Sequence, residues 1–99
     1  MVAFKKIDIQ SAVSHFNKGD ILILDIRDKD SFNSGHINGA INLLDDNIND
    51  FITETKKDKR ILVYCYHGNS SQNAANFLVK CGFNDVYSLD GGYEAWKIK

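Results

Sequence analysis

A chain of 99 residues, 43% of them hydrophobic, has material for one core, and residues 1–99 are read as one domain. A formal charge of -1 excludes the basic excess that a nucleic-acid surface needs. No apolar run is long enough to span a bilayer and no apolar leader follows Met1, so the expected setting is the cytoplasm, where thiols stay reduced.

Taken in order, Phe4, Lys5, Lys6 and Ile7 predict a short edge strand. Asp8 is placed to cap a helix whose apolar positions are Ile9, Ala12, Val13 and Phe16, with His15 on its solvated side. After Gly19 and Asp20, the continuous run Ile21, Leu22, Ile23 and Leu24 predicts a buried strand ending in Asp25-Ile26-Arg27-Asp28. A carboxylate and a guanidinium at a crowded strand end are expected to satisfy one another and nearby amides rather than to act in chemistry. Residues 30–34 fit about one helical turn, stopped by Gly35. His36 could serve as a base, but the compact turn 35–40 favours a hydrogen-bonding structural role. Residues 40–43 predict the third strand, and Asp45, Asp46 or Asn47 can cap a helix through Ile48, Phe51 and Ile52. The basic run 56–60 is interrupted by Asp58 and is expected to be a solvated loop.

Ile61, Leu62, Val63 and Tyr64 predict the central, fully buried strand. Directly after it comes Cys65, then Tyr66, His67, Gly68, Asn69, Ser70 and Ser71, a segment with no aliphatic residue to bury. A helical pattern begins at Asn73, with Ala74, Ala75, Leu78 and Val79 on one face. A buried cysteine can be only a small hydrophobe. A cysteine between a strand end and a helix start is also where unpaired amides converge, favour negative charge and lower a thiol pKa. Gly68 permits the tight wrap such a loop needs. Cys81, before the expected helix stop Gly82, reads as packing rather than as a disulfide partner. Residues 85–89 predict the last strand, and Gly91-Gly92 turns into a short helix that buries Trp96. His15, His36 and His67 stand apart, so no metal set is expected. Strands alternating with helices imply an α/β fold, a parallel sheet with helices on both faces and ligands at the strands' carboxyl ends.

The loop Cys-Tyr-His-Gly-Asn-Ser-Ser at residues 65–71 resembles the active-site loop of the single-domain rhodaneses, the thiosulfate sulfurtransferases. Leu24-Asp25-Ile26-Arg27 with Phe32 and the stretch 35–40 is similar to that family's first signature, and residues 89–96 resemble its last. The resemblance implies a rhodanese-like parallel five-stranded sheet and sulfur transfer without organic cofactor or metal. It makes Cys65 the nucleophile, which takes the outer sulfur of thiosulfate as a persulfide. Cyanide, a small thiol or a thioredoxin-like protein would accept that sulfur. Residues 66–71 would cradle substrate and persulfide, while Asp25, Arg27 and His36 support the loops around them. Ser31 stands where many members carry an acid that pairs with the arginine, so Asp28 or Asp30 is expected to serve. Lys29 and Asn38 replace family prolines. Related phosphatases end the loop in an arginine where this chain has Ser71, which disfavours phosphoryl transfer. A non-catalytic binding module would not need the cysteine, although a sulfur carrier for one dedicated partner would.

Overall fold

A computed structural model describes residues 3–98 of the chain. Its strands are β1 (Lys5–Ile7), β2 (Ile21–Asp25), β3 (Ile41–Asn42), β4 (Arg60–Tyr64) and β5 (Asp85–Leu89). They form one five-stranded sheet in the order β1-β5-β4-β2-β3, with every pairing parallel. The helices between and after them are α1 (Ile9–Lys18), α2 (Lys29–Ser34), α3 (Ile48–Glu54), α4 (Ser70–Lys80) and α5 (Gly92–Trp96).

β4 sits in the middle because it is apolar on both faces. Ile61, Leu62, Val63 and Tyr64 are all fully buried. Successive side chains point to opposite sides of a strand. Ile61 and Val63 therefore join Leu24, Val86, Ala75, Leu78 and Phe83 under α3 and α4. Leu62 and Tyr64 join Ile7, Ala12, Ile23 and Leu89 under α1 and α5. Each fully buried aliphatic side chain here contributes roughly 1.5–3 kcal/mol of transfer free energy. Trp96 completes the second layer, its ring 5.3 Å from that of Phe16.

Local chemistry fixes the element ends. Asp8 caps α1 by accepting from the Ser11 amide at 2.8 Å. Asp28 caps α2 in the same way, accepting from the Ser31 amide at 3.1 Å. Asn47 holds the cap position of α3, but its side chain does another job. It accepts from the Leu44 amide at 2.7 Å and donates to the Asn42 carbonyl at 2.9 Å, which pins the loop after β3.

Three expectations need correction. His15 is not simply solvated: it is partly buried, its ring lies 5.5 Å from Tyr87, and its Nδ1 is 3.2 Å from the Arg60 guanidinium. The basic run is not wholly a solvated loop, because Arg60 opens β4 and pairs with Asp85 at 2.9 Å, while Lys57 lies over the Phe83 ring. α4 begins at Ser70 rather than Asn73, so Ser70 and Ser71 belong to its first turn. The helical face then reads Ser71, Ala75 and Leu78, with a polar residue at its head.

Candidate active site

β4 ends at Tyr64 and α4 starts at Ser70, so the chain must turn over within a few residues, with Cys65 at the carboxyl end of the central strand. The cysteine is 5% exposed. Gly68 sits at φ +94°, a left-handed conformation open to glycine, and this bends the loop back over the sulfur. The Gly68 amide donates to Cys65 Sγ at 3.2 Å and the Ser71 amide at 3.3 Å. The second donor is one of the unpaired amides of a helix's first turn, where the helix dipole is positive. Burial pushes the Cys65 thiol up, but the Ser71 hydroxyl and the amides of Ser71, Gly68 and His67 outweigh it, and the net shift is downward.

One of those amides, that of His67, is aimed from the opposite end of its peptide unit by α5, which grips the start of the loop. The Tyr93 amide donates to the Cys65 carbonyl at 2.8 Å, and the Glu94 amide to the Tyr66 carbonyl at 3.0 Å. In a planar trans peptide the C=O and N–H point opposite ways, so a Tyr66 carbonyl held by α5 turns the His67 N–H toward the sulfur. The approach is so close that only glycine fits at position 92. A Cβ there would lie 2.5 Å from the Tyr66 carbonyl oxygen and 2.6 Å from that of Cys65. Gln72 adds a brace by donating to the Gly68 carbonyl at 2.8 Å.

The remaining loop side chains divide by direction. Cys65, Tyr66, His67, Asn69 and Ser70 line a small recess of about 130 Å³. None of its walls carries a lysine or arginine. His67 is exposed, and Asn69 occupies the cap position of α4 without a side-chain cap bond. Ser71 is fully buried and turned away from the opening, its Oγ 2.8 Å from Ser88 Oγ on β5. Tyr66 reaches outward to Asp28 and Ser31, its hydroxyl 2.6 Å from Ser31 Oγ and hydrogen-bonded to the Asp28 carboxylate. That phenol, followed by the Ser31 hydroxyl and amide, pulls the Asp28 carboxyl down to about 2.

Behind the loop, Arg27 donates to Asp25 through Nη2 at 2.7 Å and Nε at 3.1 Å, and to the Gly35 carbonyl at 2.6 Å. Its guanidinium lies 4.2 Å from the Tyr93 ring centroid, 5.6 Å from that of Tyr66 and 5.7 Å from that of Tyr64. Its acid partner is Asp25, two residues away at the end of β2, the mutual pairing expected of these two residues. Asp28 or Asp30 was expected to stand in for the acid missing at Ser31, but Asp28 is taken up by the α2 cap and Tyr66 instead. Burial pushes the Tyr64 phenol up, and its hydrogen bond with Asp25 adds to that. His36 lies outside this group: its ring stacks on Phe32 at 3.8 Å and its Nδ1 is 2.7 Å from the Phe32 carbonyl. A larger apolar groove of about 720 Å³, between Ile48 and Phe77, does not include the sulfur.

Sequence reasoning did not single out Ser88, Gln72 or the amides of Tyr93 and Glu94. The Gly91-Gly92 pair was the available signal, since paired glycines before a helix also mark close backbone approach. Ser88 is a polar residue in an otherwise apolar strand, and that alone does not name its partner.

Fold and loop together define an α/β protein that places a cysteine sulfur at the carboxyl end of a parallel sheet, inside a cradle of backbone amides. The sequence pattern of the rhodanese-like domain family matches residues 8–99, and the chain belongs to that family. It is 49% identical to the thiosulfate sulfurtransferase GlpE of Shewanella oneidensis over 97% of this chain and 95% of that one. It is 48% identical to GlpE of Pseudoalteromonas translucida over 97% and 91%. Among solved structures, the rhodanese-like domain of an Anabaena protein superposes with a TM-score of 0.84 at 32% identity, covering 94% of this chain and 73% of that one.

Proposed function

We propose that this protein is a thiosulfate sulfurtransferase in which Cys65 carries the sulfur, with residues 1–99 working as one domain. The convergence of the Gly68 and Ser71 amides on Cys65 Sγ is the observation that carries the reading. Similarity to thiosulfate sulfurtransferases over nearly the full chain supports it. The Cys65 thiolate attacks the outer sulfur of thiosulfate. A new S–S bond forms, the old one breaks, and sulfite leaves with the electron pair. The persulfide's charge now sits one atom further out, among the loop amides. An acceptor thiolate or cyanide then attacks the outer sulfur, and the electron pair returns to Sγ. Small thiols or a thioredoxin-like protein fit as acceptors in the cytoplasm, and neither half-reaction calls for a metal or an organic cofactor.

The neutral walls of the recess support sulfur transfer over phosphoryl transfer, which needs a cationic clamp in the loop. They also bear on affinity. Thiosulfate is a dianion, and no lysine or arginine lines the recess to meet it. Backbone amides then do the holding, and KM for thiosulfate is expected above about 1 mM. Steady-state transfer from thiosulfate to cyanide tests both statements. Absence of turnover would overturn the activity, and a KM in the low micromolar range would overturn the account of binding. Arginine introduced by Ser70→Arg should tighten thiosulfate, with a gain that shrinks as salt is added.

A further inference from the structure

On β5 the face turned to α4 carries Val86 and then Ser88. Val86 belongs to the apolar cluster with Ala75 and Leu78. Ser88 is fully buried too, and a valine there would suit a strand better and bury more apolar surface. What the serine provides is a hydroxyl 2.8 Å from Ser71 Oγ, which is itself fully buried at the head of α4. The Ser71 amide donates to Cys65 Sγ at 3.3 Å, which brings the Ser71 side chain beside the sulfur, and its hydroxyl is among the groups that favour the ionised form.

We propose that Ser88 is a positioning residue for sulfur transfer: it donates its proton to Ser71 Oγ and so turns the Ser71 proton onto Cys65 Sγ. This rests on Cys65 being the sulfur-carrying nucleophile. Two hydroxyls in contact share one hydrogen bond, and either can be its donor. If Ser88 accepts, the Ser71 proton is used on Ser88 and the sulfur loses it. A thiolate can only accept, so ionisation of Cys65 selects the order Ser88 to Ser71 to Sγ, and each charge-assisted bond polarises the next. The same order matters again at discharge. When an acceptor bonds the outer sulfur, the S–S bond breaks and its electron pair lands on Sγ as a thiolate leaving group. The hydroxyl chain is already aimed there.

The charged and titratable groups around the loop are Tyr66 and His67 on the loop, Tyr64 and Asp25 with Arg27 from the adjoining strand ends, Asp28, Asp90 after β5 with its partner Lys6, and Tyr93 with Glu94 on α5. A change at Ser88 removes none of them, so a shift in Cys65 ionisation reads the hydroxyl pair. The test uses the full chain with Cys81→Ser, so that one thiol remains. Iodoacetamide alkylation is followed against pH, and discharge of the loaded persulfide to cyanide is followed in a single turnover. Ser88→Ala should raise the alkylation midpoint by about one pH unit, the size of one hydrogen bond to a charged group. It should slow discharge roughly threefold through the poorer leaving group.

Ser88→Thr and Ser88→Val are nearly the same shape and differ in the hydroxyl, so they decide the matter even if the alanine variant folds poorly. Threonine should hold the midpoint and valine should raise it. Equal midpoints for threonine and valine, or an unshifted alanine variant, would overturn the proposal. Failure of the parent protein to take up sulfur would instead overturn the reading of Cys65 as sulfur carrier, while the midpoints still report on the hydroxyl pair.

Discussion

The two cysteines flank the same helix, and the helix treats them oppositely. Cys65 precedes α4, whose first turn offers free N–H groups. The Ser71 amide takes its sulfur as partner and the Gly68 amide adds a second bond. Cys81 closes α4, where the last carbonyls gather and favour positive charge. Its own amide bonds back to the Phe77 and Leu78 carbonyls, and its side chain packs against the cluster that holds Phe83 and Leu78. Both sulfurs lie in part-apolar surroundings, and neither is in a disulfide. Backbone direction, with the Ser71 hydroxyl at the head of α4, separates an anion site from a packing site. A cysteine's reactivity in this fold therefore belongs to the donors around it, and these are set by the turn and by what grips its carbonyls.

The sharpest way to break the comparison is to remove each sulfur in turn. Thiosulfate treatment of the protein should add one sulfur by intact mass. Cys65→Ser should abolish both the added sulfur and turnover, while Cys81→Ser keeps them. Sulfur found on the Cys65→Ser protein would show that the carbonyl end of α4 can also host the chemistry.

A second, smaller disturbance leaves both thiols in place and acts on the grip. Gly92→Ala drives a Cβ to 2.5 Å from the Tyr66 carbonyl oxygen, and Gly92 itself sits at φ +59°. The loop must shift to relieve the contact, with strain of about 1–3 kcal/mol and misaligned amides as the result. Transfer from thiosulfate should fall at least about tenfold, the cost of roughly 1.4 kcal/mol in the transition state. Thermal unfolding should show a modest loss of stability, and the environment of Cys81 should be untouched. Alkylation of the two thiols, resolved by peptide mass, reads this directly. If turnover survives Gly92→Ala intact, the α5 clamp does not aim the loop.

The layout of the fold was legible because each strand is a run of apolar residues with turn-formers at its ends. Ile61, Leu62, Val63 and Tyr64 could only be buried on both faces, and the polar segment after Cys65 could only be a turn. Asp8 was readable as a cap because capping is local. What escaped depends on distant partners. Arg27 could be paired with Asp25 at the same strand end, but the fate of Asp28 depends on Tyr66, which reaches it from the loop after β4. His15 looked solvated until Arg60 and Tyr87, on other strands, closed around it. Ser88 gives no periodic signal at all. A serine in a strand is silent about function until Ser71 is found opposite.

The finest test asks whether side chains outside the loop contribute anything to the contrast between the two sulfurs. Tyr66 ties the loop to Asp28, so Tyr66→Phe cuts that tie while leaving every amide on Sγ in place. The Asp28 carboxyl is held at about 2, mainly by the Tyr66 phenol. Its free value is near 3.9. A carboxyl depressed on folding stabilises the protein above its unfolded pKa, and that contribution disappears as pH falls through the folded pKa. Parent and Tyr66→Phe proteins should therefore differ slightly in stability at neutral pH and converge as pH drops from about 4 to about 2, the difference being small because Asp28 is exposed. The midpoint of Cys65 alkylation should stay below about 8.5, the value of a free thiol, in both proteins. It should also move by less than about half a unit between them, because the amides and the Ser71 hydroxyl set it. Denaturant unfolding across the acid range and alkylation against pH are the two measurements. A larger rise in the midpoint would mean that the outer tie, and not only the helix end and the α5 clamp, separates Cys65 from Cys81.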